Sequence, residues 1–151
     1  MAALTLTLDE LRGYAGKQLG SSDWHEVTQD QVNLFADATG DHQWIHVDPG
    51  RAAAGPFGGT IAHGFLTLSL ASMLLWEVLE VSDASVTVNY GLNRVRFPAP
   101  LPVGSRIRAD VSCVAVEEVS GGLQATLALT FEREGGGKPV CVAELLLRYG
   151  A

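Results

Sequence analysis

Two hydrophobic rhythms divide the chain. In the first half apolar positions recur at helical spacing: Val32, Phe35 and Ala36 follow Thr28, which can cap a helix start, and Asp30 and Gln31 suit the first turn. Gly40 then stops that helix, which delivers Asp41 at its end. A shorter capped helix is predicted at Thr7-Leu8-Asp9-Glu10-Leu11, and an extended stretch over residues 22–27. Between Asp41 and Gly59 the period is lost while Pro49, Gly50, Gly55, Pro56, Gly58 and Gly59 accumulate, which predicts an irregular, ordered loop with little room for a helix. From His63 to Leu79 the chain is apolar almost all round, the pattern of a helix surrounded by protein on most sides.

The second half switches to period two. Val86, Val88 and Tyr90 alternate with Thr87 and Asn89; Ile107, Ala109, Val111 and Cys113 alternate with Arg106, Arg108, Asp110 and Ser112. Leu123, Ala125, Leu127, Leu129 and Phe131 form another such row, and Gly135-Gly136-Gly137 turns the chain into a last strand running from Val140 to Tyr149. Short connections make the sheet mainly antiparallel. An α+β architecture follows, with an antiparallel sheet wrapped around a long central helix, the hot-dog arrangement, in a single domain over residues 1–151.

Composition narrows the partners. The chain is 47% hydrophobic and 18% charged, enough to fill a core rather than remain disordered. A net charge of −7 and the lack of a Lys/Arg cluster exclude nucleic acid as an expected partner. Arg94, Arg96, Arg106 and Arg108 are the nearest approach to an anion-binding group, although alternating charges on the wet face of two strands is the better reading of their spacing. Residues 61–79 approach the length of a membrane span, but His63, Ser69, Ser72 and Glu77 within them favour a core helix, so no membrane partner is expected. Residues 1–8 lack the features of a signal peptide, which points to the cytoplasm. Cys113 and Cys141 lie in strand-like apolar runs and read as core thiols.

The polar chemistry gathers in one place. His42, His46 and His63 lie in or beside the irregular segment with Asp37, Asp41 and Asp48. A carboxylate next to an imidazole is an acid/base pair. Asp41 and His46, five positions apart, converge only if the chain breaks after Gly40. A metal site made of His42, His46 and His63 is an alternative. Gly64, at the start of the apolar helix, leaves backbone N–H groups free and open to close approach by a carbonyl.

The run from Phe35 to Pro49, containing Gly40-Asp41-His42-Gln43-Trp44-Ile45-His46, followed by Phe57 to Leu66 with Ala62-His63-Gly64, strongly resembles the MaoC-like dehydratases and (R)-specific enoyl-CoA hydratases, in particular their NodN-like branch. The resemblance spans residues 20–149. It implies that Asp41 and His46 are catalytic, that the Gly64 N–H forms the oxyanion hole, and that Ser72, Gln43 and His63 are supporting. It implies hydration of a trans-2-enoyl-CoA to an (R)-3-hydroxyacyl-CoA, with coenzyme A as part of the substrate and no separate cofactor or metal. A homodimer or a higher oligomer of dimers is also implied. At Gln43-Trp44 the chain departs from the Asn-Pro frequent in that family, and Trp44 adds bulk that would narrow or line the acyl pocket. Two other readings stay open: a hot-dog acyl-CoA thioesterase and a non-catalytic acyl-CoA-binding subunit.

Overall fold

The computed structural model describes residues 3–151. Strand β1 (Leu4–Leu6) leads into α1 (Leu8–Arg12), whose start is closed by a capping box between Thr7 and Glu10. Strands β2 (Gln18–Ser21) and β3 (His25–Glu26) precede α2 (Gln29–Thr39). That helix starts where predicted, with the Thr28 hydroxyl accepting from Gln31 N–H, and ends at Gly40 in the left-handed region with φ 84°.

The segment expected to be irregular contains two short helices, α3 (Trp44–Val47) and α4 (Pro49–Ala53). Pro49 does not prevent this, because it occupies the first turn of α4, where its missing N–H costs nothing, and the Asp48 carboxylate caps the helix by accepting from Arg51 N–H.

The apolar segment forms α5 (Gly64–Ser69) and α6 (Ala71–Trp76), separated at Leu70, where one long helix was expected. The hydroxyls of Thr67 and Ser69 donate back to the carbonyls of His63 and Phe65, a local competition that bends helices. The segment ends at Trp76, and Leu79 belongs to β4 (Leu79–Val81), which pairs in parallel with β1. One flank of it is also uncovered: Phe65 and Trp76 are each 72% exposed.

Strands β5 (Val86–Arg96), β6 (Arg106–Val119), β7 (Gly122–Arg133) and β8 (Cys141–Gly150) follow. They form an antiparallel sheet in the order β2-β6-β7-β8-β5, with β3 also paired to β6. The alternating residues of β6, β7 and β8 enter the core as predicted, with Ile107, Val111, Leu127 and Phe131 buried against Leu74 and Val32. Cys113 and Cys141 are buried free thiols. Burial raises the Cys141 thiol to about 12.

Strand β5 is the exception. Val88 is opposite Arg148 on the outer row of β8, so Val86, Val88 and Tyr90 face outward and are exposed, while Thr87 and Asn89 face α6. Beneath β5 a groove runs along α5 and α6, in two adjoining cavities of about 350 and 340 Å³ that share Ser72, Asn89 and Leu145.

Candidate active site

Asp41 is held just beyond the left-handed turn at Gly40. Its carboxylate accepts from Gln43 N–H at 3.3 Å through Oδ1, which leaves Oδ2 facing His46 Nε2 at 4.0 Å. The break after Gly40 and the turn of α3 together bring the pair into one place, as their convergence requires. A water at about 2.8 Å from both atoms would subtend an angle near ~90°, so this gap fits one shared water.

His46 is buried, with only 8% of its side chain exposed, whereas Asp41 is 54% exposed. The Nδ1 of His46 lies 2.7 Å from the carbonyl oxygen of Ile61. A carbonyl only accepts, so Nδ1 carries the proton and Nε2 presents a lone pair towards Asp41. The position of α3 is fixed from behind by residues with no distinctive sequence signal. Gln29 donates to the His46 carbonyl at 2.8 Å, Thr60 donates to Gln29 at 2.7 Å, and Ile61 N–H donates to the Ile45 carbonyl.

His63 joins the pair. Its ring stacks on that of His46 with centroids 3.9 Å apart, and the Phe35 ring lies tilted beside it at 4.9 Å. His63 Nε2 donates to the backbone carbonyl of Asp41 at 3.0 Å. The next residue, Gly64, opens α5, so its N–H has no acceptor within the helix. A cleft of about 280 Å³ is lined by His46, Ile61, Gly64, Thr67, Phe97 and Val140. A Cβ on Gly64 would stand 3.1 Å from the Phe97 ring, so glycine leaves room for that ring at the cleft wall.

The other candidates lie elsewhere. Ser72 lines the groove under β5 and is not brought to the cleft that holds His46. Gln43 contributes its backbone N–H, while its side chain makes no capping bond. His42 is exposed and bonded to Asp37 at 2.9 Å, a contact that raises its pKa above the usual imidazole value. It therefore stands outside the cluster, and among the described residues the group that offers metal-ligand atoms within 4.8 Å of one another is Asp41, His46 and His63. The 4.0 Å between Asp41 and His46 exceeds the edge of a tetrahedral zinc shell, roughly 3.4 Å for ligands at about 2.0–2.1 Å, so the arrangement suits a water better than zinc. Trp44 packs on Gly55 and beneath the Arg51 guanidinium, and does not line the cleft. Of the four arginines, Arg106 and Arg108 pair with Glu134 and Glu132. Glu144, opposite Arg94, accepts from Asn93 instead.

An antiparallel sheet packed around a helical segment defines a hot-dog protein, and here the Asp41–His46 pair stands against His63, the residue before that segment. Comparison with known proteins agrees: the (R)-hydratase from A. caviae involved in PHA biosynthesis superimposes with a TM-score of 0.72 at 27% identity, over 88% of this chain and 97% of that one. R-Hydratase PhaJ1 from Pseudomonas aeruginosa gives 0.76 at 23% identity, over 96% and 86%. Residues 11–131 match the family described as MaoC like domain, and the chain belongs to that family. Among its relatives, 3-hydroxyacyl-thioester dehydratase Z of Mycobacterium tuberculosis is 59% identical over 143 residues, covering 94% of this chain and 95% of that protein. Nodulation protein N of Rhizobium leguminosarum bv. viciae is 43% identical over 141 residues, covering 91% and 88%.

Proposed function

We propose that this protein catalyses the reversible, (R)-specific addition of water to a trans-2-enoyl-CoA. The observation that carries the reading is the Asp41–His46 pair, two lone pairs 4.0 Å apart beside a cleft whose wall is the free N–H of Gly64. The thioester carbonyl lies against that N–H, which draws charge from the conjugated system towards the oxygen. The water held between Asp41 and His46 attacks C3, and one of the pair takes its proton. A proton returned to C2 from the same side completes a syn addition, giving an (R)-3-hydroxyacyl-CoA. The reaction is redox-neutral and its proton transfers need only the two side chains, so it calls for no separate cofactor or metal. The dehydratase named as the M. tuberculosis relative supports the reaction class.

The assay is the turnover of crotonyl-CoA and of a longer 2-enoyl-CoA by the purified protein. Loss of the conjugated thioester without thiol release, with the (R)-3-hydroxy product formed, is the expected result. Thiol release would assign a thioesterase, and binding without turnover an acyl-CoA-binding subunit.

We also propose that the working unit is a homodimer joined at β5. Among the described residues this strand presents an unpaired edge of 11 residues, and Val86, Val88, Tyr90 and Leu92 are exposed on it. Exposed long edges invite pairing, and a second copy offers the same edge in an antiparallel sense.

A further inference from the structure

We infer that His63 is a positioning residue that sets the geometry of the Asp41–His46 pair through one hydrogen bond, from its Nε2–H to the carbonyl oxygen of Asp41. The inference rests on the acid/base reading of that pair.

Three connections meet in this side chain. Asp41 follows the last residue of α2 by two positions and lies outside any helix, so its backbone has no ladder to hold it, and the 3.0 Å bond from His63 ties down its carbonyl. His46 is held at the Nδ1 edge by Ile61, while its face rests on the His63 ring at 3.9 Å with planes 24° apart. Gly64 is bonded directly to His63, so the candidate oxyanion donor is in register with the same residue. Acid, base and oxyanion donor thus refer to a single fixed ring.

The way His63 is held favours a role over simple core filling. It is 3% exposed, and its Nδ1 has no hydrogen-bond partner among the described residues. A buried acceptor without a donor is destabilising, and an apolar ring of similar size would avoid that. Because Nε2 donates to a carbonyl, the tautomer is fixed, and the bare Nδ1 follows from using the other nitrogen on Asp41. The neighbouring Phe35 shows that the surroundings accept an aromatic hydrocarbon.

Two amide variants separate the hydrogen bond from bulk. The amide nitrogen of Gln reaches where Nε2 stands; that of Asn reaches only where Nδ1 stands. With enoyl-thioester turnover established for the parent, His63→Asn is expected to lower kcat at least tenfold with KM changed less than threefold, and to move the acidic limb of the kcat–pH profile. His63→Gln is expected to keep kcat within about threefold and the limb in place. Equal activities in the two variants, whether high or low, would overturn the inference. Should His63→Asn fail to fold, the parent decides: a slowly exchanging Nε2 proton on His63, seen by nitrogen-15 NMR, supports the bond, and a rapidly exchanging one overturns it. A parent without turnover would instead remove the acid/base reading, a separate failure.

Discussion

Asp41 and His46 face each other from unlike surroundings, one carboxylate half in solvent and one imidazole buried against the Ile61 carbonyl. Replacing either removes a proton acceptor with little change of shape. Asp41→Asn and His46→Gln are each expected to retain the fold by circular dichroism and to lower hydration at least ~100-fold. Near-parent turnover in either variant would exclude the pair. A second residue-level expectation concerns Cys141, whose thiol is raised from 9.0 to about 12 by burial. The folded state keeps the proton that the unfolded chain releases, so this contribution is intact below pH 9 and is lost as pH rises towards 12. Urea unfolding across that range should show stability falling with pH, and less steeply in Cys141→Ala. The facing of Asp41 and His46 was legible because they sit in a recognisable run between Gly40 and Pro49. Gln29 and Thr60 were not, because Gln29 holds the His46 carbonyl across 17 positions and Thr60 holds the Gln29 side chain across 31, which no local period reports.

At the scale of elements, caps and periods were legible where local chemistry decides. Thr28 and Gly40 bound α2, and the buried rows of β6, β7 and β8 follow their alternation. The break at Leu70 was not, since apolarity alone gives no sign of hydroxyls that bond back into the helix. The start of β7 carries a sharper constraint: a Cβ on Gly122 would lie only 1.9 Å from the Tyr149 carbonyl oxygen, whereas one on Gly59 would meet nothing within 4 Å. Gly122→Ala is therefore expected to lower stability by about 1–3 kcal/mol, the usual range for overpacking. Gly59→Ala should be near neutral. Denaturant midpoints of the two variants provide the comparison, and equal midpoints would contradict it.

Across the whole molecule, the hot-dog arrangement was foreseeable from a long apolar segment followed by strands, but the outward phase of β5 was not. Its alternation looks the same whichever row faces the core, and only pairing with β8 distinguishes them. If that outward row joins two copies, Val88→Glu places like charges across the two-fold interface and should halve the mass seen by light scattering, from twice the 16.0 kDa of one chain to a single chain. A parent already monomeric would remove the dimer. The unequal exposure of Asp41 and His46 has a consequence for traffic. The cleft beside Gly64 and Phe97 is lined by His46 and not by Asp41, whose carboxylate opens to solvent. On the proposed reaction, thioester and water would have separate doors to one pair of atoms. A long acyl guest can fill its own entrance while the other stays wet, as suits a reaction that consumes water in one direction and must discharge it in the other.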